Sequence, residues 1–579
     1  MVISMGPSNV LYGLSFLLII GFVQFSHALS IQAKEDCYCF PGEPCWPSIS
    51  QWAAFNRTLK GRLIATDPIG SVCHSDGPFG AYNASACEDL RAKWDLTSTH
   101  YESSSSIMAG FYTNQSCNPF LGPSSRCIIG TYVQYAVRVE SSTDIQKTIA
   151  FATANRIRLV VRNTGHDYLG KSTGAGAIAL WTHHLKDIEF LDYQSSYYNG
   201  SAIKVGAGVQ VGESNAAASK RNFTVVGGNC RTIGLAGGYS QGGGHGQLVS
   251  RFGLAADQVL SWEVVTPTGV LVTATPDNEY SDLYWALAGG GGGTYGVVVS
   301  MISLAHPEMQ TATAELIITT NSTTRAAFND VFDIFMNSTL GPLLDARGAS
   351  VWYITSEAFE LTPITIPGGT KKQLEAILAP MLKALKRTNL PYTYQISSFP
   401  TFYTSFEKMS PVVNVTEYNV AGRFVPRHVL DREPRTVANR LRRIASYGAA
   451  VSGVSVNASL SSPGQAIANS VNPGWREAAI DVVLGLPLSQ TNQSLDAQHM
   501  KTTTDVLLPY IESITPGAGA YLNEADVNQP HWQQTFYGDK YERLLKIKQK
   551  YDPRGLLYAA TAVGSESWVQ REDGRLCRR

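Results

Sequence analysis

The sequence predicts an α+β fold with two domains, and three observations lead to this prediction. The chain has 579 residues, more than one ordinary hydrophobic core organises. Residues 126–310 alternate short apolar strands and helical segments with glycine-rich loops. Residues 311–510 lack such loops and carry helical patterns with scattered tyrosine and phenylalanine. We therefore predict one domain over 126–310 and a second, substrate-facing α+β domain over 311–510.

The first domain begins with a strand–helix–strand unit. The stretch YAVRVESSTDIQKTIAFATANRIRLVVRN, which starts at Tyr135, has β-branched, apolar runs on both sides of a helical pattern. Ser142 and Asp144 are suited to cap that helix. Further strands are predicted in AIKVGAGVQVG and in SWEVVTPTGVLVTAT, whose two runs fold about Pro267-Thr268-Gly269. The glycines between these strands allow the backbone to approach a ligand closely.

The second domain and the C-terminal segment contain amphipathic helices. GGTKKQLEAILAPMLKALKR places one apolar face on a helix, formed by Leu374, Ile377, Leu378, Met381, Leu382 and Leu385. DKYERLLKIKQKY predicts another helix that ends before Pro553, followed by an extended tail.

The N-terminus and the composition indicate export. Residues 1–28 combine an apolar stretch with Ser26-His27-Ala28 at a signal-peptidase position, so we predict a signal peptide and no membrane association after its cleavage. The 46 basic and 46 acidic residues give a net charge of zero, which argues against nucleic acid as a partner. Ten Asn-x-Ser/Thr sequons predict N-glycans: Asn56, Asn83, Asn114, Asn199, Asn222, Asn321, Asn337, Asn414, Asn457 and Asn492.

Cysteine usage leaves one residue over. Six of the nine cysteines lie in a loop-rich N-terminal region, residues 29–125, Cys127 follows directly after it, and Cys577 lies near the end. These eight can form disulfides in an oxidising compartment, in a pairing that the sequence leaves open. Cys230 stands apart in the glycine-rich stretch VVGGNCRTIGLAGGYSQGGGHG. Because a free, exposed thiol is a liability in a secreted protein, we expect Cys230 to be buried or chemically committed.

Two glycine-rich loops carry candidate chemistry. In VVRNTGHDYLGKSTGAG a strand runs into a turn that can bind an anion through its backbone N–H groups, and His166 projects from it. The G-x-G-x-x-G at Gly291–Gly296 follows a helical pattern and precedes a strand, the reverse of a nicotinamide-binding fingerprint. His183-His184 has no third ligand at a useful spacing, so we predict no metal site.

Several motifs, in order along nearly the whole mature chain, carry a family resemblance: RNTGHD, GGNCRTIGLAGG, GGGHG, GGGGGTYGVVV, YLNEAD and YDPRGLLY. They resemble the berberine-bridge-enzyme-like branch of the vanillyl-alcohol-oxidase flavoproteins, and within it the secreted fungal isoamyl-alcohol-oxidase type. The resemblance implies a PCMH-type FAD-binding domain over 126–310, to which residues 511–579 return.

The resemblance also implies how FAD is bound. His166 matches the histidine bonded to the flavin 8α-methyl group, and Cys230 matches the cysteine bonded to C6. The remaining cofactor-binding positions that it implies are Arg162, Asn163, Thr164, Gly165, Asp167, Gly228, Ile233, Gly234, Gly238, Gly242, Gly243, Gly244 and Val297.

The implied reaction is oxidation of a substrate CH–OH or CH–N, in which a base takes the proton, flavin N5 takes a hydride and O2 re-oxidises the flavin. We assign the base to Glu524 in YLNEAD, where many relatives have tyrosine, and orienting roles to Asn523 and Tyr521. A carboxylate beside an apolar flavin face would need burial to raise its pKa. Tyr168 and His245 are further candidates for the pocket wall.

Alternatives remain open at this stage. Ile233 matches a position over the flavin ring near the site of O2 reaction, where a bulky side chain would favour a dehydrogenase with another acceptor. A carbohydrate or oligosaccharide oxidase is the alternative to an alcohol or secondary-metabolite oxidase. A monomeric, extracellular flavin-binding protein without turnover is the alternative from another class.

Overall fold

The computed structural model describes residues 36–113, 116–410, 414–459 and 468–579. The predicted signal peptide and the sequon at Asn114 lie outside the described residues. Residues Cys37–Arg579 form one compact unit of helices and sheets, so the predicted α+β class is confirmed. No helix among the described residues is long and apolar enough to cross a membrane.

The N-terminal half contains three sheets. Its strands are β1 (Leu63–Ala65), β2 (Tyr135–Arg138), β3 (Leu159–Arg162), β4 (Ile178–Trp181), β5 (Ile188–Gln194), β6 (Asn199–Gly206), β7 (Phe223–Thr224), β8 (Val259–Val265), β9 (Leu271–Ala274), β10 (Val297–Leu304) and β11 (His306–Pro307). Its helices are α1 (Ile49–Thr58), α2 (Ala84–Ala92), α3 (Thr97–Tyr101), α4 (Ser142–Ala154), α5 (Val211–Ser219), α6 (Ser240–Gly242), α7 (Val249–Phe252) and α8 (Ser281–Leu287).

The predicted strand–helix–strand unit builds the first of these sheets. Its order is β1-β2-β4-β3, with β4 parallel to both β2 and β3, while β1 pairs antiparallel with β2. The second sheet, β5-β6-β10-β8-β9, is antiparallel, and β8 and β9 join through the predicted turn at Pro267–Gly269. Helix α4 is capped by Ser141, one residue before the predicted Ser142, while Asp144 completes the capping box as expected.

The second half is organised round one antiparallel sheet. Its strands are β12 (Thr311–Thr319), β13 (Ala349–Ile354), β14 (Ala358–Pro367), β15 (Tyr392–Phe399), β16 (Ala421–Pro426), β17 (Ala450–Ser455) and β18 (Ala478–Gly485). Its helices are α9 (Arg325–Ile334), α10 (Leu340–Asp345), α11 (Lys371–Leu385), α12 (Phe402–Met409), α13 (Arg427–Arg432), α14 (Pro434–Ala445), α15 (Gln493–Thr502) and α16 (Leu508–Glu512). The strand order is β15-β12-β14-β13-β17-β18-β16.

Helices cover one face of this seven-stranded sheet and form a separate hydrophobic core. Leu374, Leu378 and Met381 of α11 are fully buried in it, which confirms the predicted apolar face of that helix. Trp352 of β13 and Phe424 of β16 are likewise fully buried. Burial of such large side chains stabilises the sheet by about 2–3 kcal/mol each.

The C-terminal segment returns to the N-terminal half. It contains α17 (Trp532–Tyr537), α18 (Tyr541–Tyr551), β19 (Trp568–Gln570) and β20 (Leu576–Arg578). Helix α18 ends before Pro553 as predicted. The tail that follows contains the extended strands β19 and β20, which pair as an antiparallel hairpin that was not predicted.

Eight cysteines form four disulfides, and the pairing left open by the sequence is Cys37–Cys577, Cys39–Cys45, Cys73–Cys87 and Cys117–Cys127. The first of them fastens the hairpin to the start of the compact unit. Cys230 is the free cysteine, as the count predicted.

Candidate active site

The two glycine-rich loops bring His166 and Cys230 together. The two residues are 64 positions apart, yet Sγ of Cys230 lies 3.8 Å from Nε2 of His166. Thr232 bridges them, because its Oγ1 lies 2.7 Å from that nitrogen and 3.3 Å from the sulfur. Burial lowers the pKa of His166 to about 3, so its imidazole is neutral at physiological pH. Burial also raises the pKa of the Cys230 thiol, an effect that hydrogen bonds from Thr232 oppose.

The side chains of Arg162 and Asp167 fix the loop that carries His166. Gly165 has φ +79°, and the Arg162 guanidinium lies directly beneath it, donating to the backbone carbonyls of His100, Ser103 and Ser106. The carboxylate of Asp167 accepts hydrogen bonds from the N–H groups of Leu169 and Ser172. Arg162 and Asp167 therefore fix the shape of this loop. Thr164 is buried between them.

The second loop packs against the side chain of Asn163. That amide donates to the carbonyl of Ala207, and a Cβ on Gly234 would lie 2.2 Å from its Oδ1. Only glycine fits at position 234 for this reason. A Cβ on Gly228 would lie 3.5 Å from Cδ1 of Ile233, which places these two predicted residues on one wall. Gly238 faces open space, and the nearby Val297 is buried at the start of β10.

Three consecutive glycines, Gly242 to Gly244, form the turn that places His245 in the site. Gly243 and Gly244 adopt φ +128° and +76°, a left-handed backbone that glycine tolerates, and a Cβ on Gly242 would collide with Asn523. After this turn, Nε2 of His245 lies 3.1 Å from Oε2 of Glu524.

A third titratable residue, Asp481 of β18, completes this cluster. Its Oδ2 lies 3.9 Å from Nε2 of His245, and the side chain is fully buried. Burial and the charge of Glu524 raise the pKa of Asp481 well above its usual value. Burial alone would lower the pKa of His245, but the charge and hydrogen bond of Glu524 together with Asp481 raise it. His245 and Glu524 therefore form one hydrogen-bonded pair beside a buried carboxyl.

Aromatic residues surround the Glu524–His245 pair. Asn523 donates to the carbonyl of Gly238 and to the hydroxyl of Tyr521, so both predicted orienting residues are tied to the second loop. Burial, followed by the charges of Glu524 and Cys230, raises the pKa of Tyr168. Burial and the same two groups raise the pKa of Tyr353 on β13. Tyr168 and Tyr353 therefore lie within electrostatic range of both Glu524 and Cys230.

The residues of this cleft fit FAD. Several buried polar atoms have no hydrogen-bond partner among the described residues, and they lie along the predicted flavin-binding loops: Nε and Nη1 of Arg162, Oδ1 of Asn163, Oδ1 of Asn229 and Oε1 of Gln241. Buried polar groups in native proteins are nearly always paired, so these atoms indicate a polar ligand. His166 and Cys230 would hold its isoalloxazine ring, and the glycines would admit it.

Sequence reasoning missed four residues of the site. Asp481 and Tyr353 belong to a sheet whose register the sequence does not reveal, and Trp475, whose ring packs 5.7 Å from that of His245, has no motif around it. Thr232, two positions after Cys230, is the one that its spacing could have indicated.

Fold and site together define an FAD-dependent oxidoreductase, and comparison with known proteins specifies which family. The protein family described as FAD binding domain matches residues 133–275, and the family described as berberine and berberine like matches residues 520–564. The FAD-linked oxidoreductase sor8 of Hypocrea jecorina (strain QM6a) is 46% identical over 547 residues, which is 94% of each chain. This chain therefore belongs to the berberine-bridge-enzyme-like FAD-linked oxidoreductases of the vanillyl-alcohol-oxidase type, as its motifs predicted.

A second relative links the sequence to a solved structure. The VAO-type flavoprotein oxidase VAO615 of Thermothelomyces thermophilus is 38% identical over 556 residues, 94% of this chain and 96% of that protein. The crystal structure of the VAO-type flavoprotein MtVAO615 from Myceliophthora thermophila C1 superposes with a TM-score of 0.87 at 36% identity, over 94% of this chain and all of that one. The family match supports an enzyme over a flavin-binding protein without turnover.

Proposed function

We propose that this protein is a secreted oxidase that converts the CH–OH group of a small hydroxylated molecule to a carbonyl, with FAD bonded to both His166 and Cys230. The 3.8 Å between Nε2 of His166 and Sγ of Cys230 carries the proposal. In a chain whose other eight cysteines are paired, the free one faces a histidine inside a glycine-lined cleft.

The state of both side chains suits covalent attachment. A neutral imidazole keeps a nucleophilic lone pair, and burial keeps His166 neutral. Oγ1 of Thr232 lies 3.3 Å from Sγ of Cys230, and hydrogen bonding at Thr232 opposes the rise that burial causes in the pKa of this thiol. Two bonds would retain the cofactor in an open cleft.

Glu524 accepts the substrate proton, and His245 positions the carboxylate of Glu524. FAD, when bound, accepts a hydride from carbon and passes the electrons to O2. Glu524 is the more accessible member of the pair, with 21% of its side chain exposed against 8% for His245, so the carboxylate takes the hydroxyl proton. His245 orients the carboxylate by its hydrogen bond. The raised pKa of Asp481 disfavours a second negative charge beside that carboxylate.

Acceptor, export and oligomeric state are parts of the same proposal. The relative named a flavoprotein oxidase supports O2 as acceptor. Four disulfides support an oxidising compartment. Seven of the nine described sequon asparagines are exposed, which supports N-glycans: Asn83, Asn199, Asn222, Asn321, Asn337, Asn414 and Asn492. A monomer is proposed for the oligomeric state.

An anaerobic screen of the holoprotein tests the reaction. Alcohols, sugars and hydroxylated metabolites are added in turn, and the absorbance of the oxidised flavin is measured at about 450 nm. We expect an alcohol to bleach the flavin, and air to restore its colour with release of hydrogen peroxide. Bleaching by sugars alone would establish a carbohydrate oxidase instead, and slow recovery in air would establish a dehydrogenase.

A further inference from the structure

Arg231, the residue directly after Cys230, contacts a helix from the second half of the chain. Its Nη2 donates to the carbonyl of Phe406 at 3.2 Å and to the carbonyl of Glu407. Its Nη1 lies 3.6 Å from Oε1 of Glu407, and its Cζ lies over the ring of Phe406, 5.6 Å from the ring centroid. Four contacts therefore join the loop that carries Cys230 to the last turn of α12.

The end of α12 is suited to bind a guanidinium group. Carbonyls in the last turn of a helix lack an N–H partner inside the helix, and the helix dipole makes that end negative. One nitrogen of an arginine fork carries two N–H groups, which is enough for the carbonyls of Phe406 and Glu407. The contact of Arg231 with α12 is therefore both hydrogen-bonded and electrostatic.

Helix α12 is itself fixed to both halves of the chain. The side chains of Phe402 and Phe406 belong to the hydrophobic core of the N-terminal half. Oγ of Ser405 lies 2.6 Å from Oγ1 of Thr313 on β12, and both of these side chains are buried. Arg231 therefore ties its loop to a helix whose position is set by the seven-stranded sheet.

Backbone hydrogen bonds also hold this loop. The N–H of Gly212 donates to the carbonyl of Arg231 at 2.8 Å, and the N–H of Val211 donates to the carbonyl of Ile233 at 2.9 Å. Both donors belong to the first residues of α5. These bonds fix the backbone after Cys230 to the N-terminal half, and the Arg231 side chain adds a link to the second half.

The charge of Arg231 also acts on the neighbouring thiol. Burial raises the pKa of Cys230, while hydrogen bonds at Thr232 and Ile233 and then the charge of Arg231 lower it. The thiolate is the reactive form of a cysteine. The contacts of Arg231 and its charge therefore favour the same reaction at Cys230.

We propose that Arg231 is a positioning residue for the bond between Cys230 and the flavin, and that it holds the sulfur in place by binding α12. The inference rests on the proposed function and names a residue on which one of its two covalent bonds depends. In that bond the sulfur replaces a ring hydrogen: the C–S bond forms, and the thiol and ring hydrogens leave as protons. The two electrons released reduce O2, the acceptor of the proposed function, to hydrogen peroxide.

The dependence should be selective for one bond. A misplacement of about 1 Å can slow a reaction between held groups about 10²-fold, so a loosened loop should impair the bond at Cys230. The loop of His166 is fixed by Arg162 and Asp167 instead. Loss of the Arg231 contact should therefore leave the bond at His166 in place.

Peptide mass spectrometry of the holoprotein tests the inference. The measured quantity is the share of protein-bound FAD that is bonded to Cys230 as well as to His166. Arg231→Met keeps an unbranched side chain but removes the donors and the charge, so this share should fall about tenfold or more while the His166 bond remains. The reduction potential of its flavin should move from the wild-type value to that of Cys230→Ala. Arg221→Met, which replaces an exposed arginine over the ring of Phe190, is the matched control and should keep the wild-type share.

Arg231→Lys is a second variant, which keeps the charge but cannot make the planar, paired contact, so it should retain an intermediate share. Thermal midpoints show that each variant is folded. Two results would overturn the inference: a wild-type share in both Arg231 variants, and equal loss of the His166 and Cys230 bonds in Arg231→Met. Absence of the Cys230 bond from the wild-type protein would refute the proposed attachment itself and the inference with it.

Discussion

Replacing Glu524 by glutamine tests how the site handles the substrate proton. The substitution keeps the size and hydrogen-bonding shape of the side chain but removes its charge and its ability to accept a proton. In the wild-type protein Oε2 lies 3.1 Å from Nε2 of His245, and the amide can occupy the same place. Binding of the substrate should therefore change little.

The expected loss is large because a positioned general base contributes 10² to 10⁴ in rate, or about 3–5 kcal/mol of barrier. His245→Gln should cost less, because it removes a hydrogen bond to a charged group, about 1.5–3 kcal/mol or roughly 10- to 150-fold. Loss of the Glu524 charge also leaves burial as the main influence on His245, so its pKa should fall in the Glu524→Gln variant.

The assay is anaerobic stopped-flow reduction of the flavin by an alcohol from the screen, measured across pH. Glu542→Gln, exposed on α18, is the matched control. Reduction by Glu524→Gln within about threefold of the wild-type rate would remove Glu524 as the base, since that is far below the expected effect. A larger loss in His245→Gln than in Glu524→Gln would move the proton acceptor to the histidine.

Three further predictions concern the groups around this pair. Asp481→Asn should gain stability over the wild type as pH rises, because the fold raises the pKa of this carboxyl and the wild type loses stability as the group ionises. The free energy of unfolding, measured at pH 5 and pH 7, should differ more between the two proteins at pH 7, by at most about 1.4 kcal/mol for each pH unit, and a constant difference would contradict the raised pKa. Thr232→Val should slow covalent attachment of flavin about fivefold to tenfold, because it removes the hydroxyl beside Cys230. The rate is measured from the flavin fluorescence of the protein band on a denaturing gel. An unchanged rate would leave Thr232 without a role at Cys230. Burial is the main cause that lowers the pKa of His100 from 6.5 to about 4, so His100 contributes stability above pH 6.5 that is lost as pH falls toward 4. Between pH 7 and pH 5, the free energy of unfolding should fall by about 2 kcal/mol less in His100→Gln than in the wild type. An equal fall in both proteins, measured by thermal unfolding, would contradict this.

Local patterns predicted the secondary-structure elements named from the sequence because each pattern lies inside one continuous segment. The apolar face of α11, the turn between β8 and β9 and the end of α18 before Pro553 all follow from neighbouring residues. The hairpin of β19 and β20 was missed although its turn is local: the N–H of Arg571 donates to the carbonyl of Arg575, and the Asp573-Gly574 pair between the strands could have indicated a turn.

The candidate site divides in the same way. His166 and Cys230 were recognisable because each lies in a glycine-rich motif, and their proximity was an expectation from the resemblance. Asp481 was not recognisable, since its place beside His245 depends on the register of β16 and β18 in a sheet formed from distant segments. The partnership of His245 with Glu524, 279 residues later, also arises only when the C-terminal segment returns.

The mode of flavin attachment tests the central claim most directly. Holoprotein is denatured in acid, washed, and examined by flavin fluorescence on a gel and by mass spectrometry of its peptides. The account predicts that the colour stays with the protein, that one FAD links the peptides of His166 and Cys230, that either single alanine variant keeps one bond, and that the double variant releases all its flavin. Colour that washes off the wild-type protein, or a disulfide at Cys230, would contradict it.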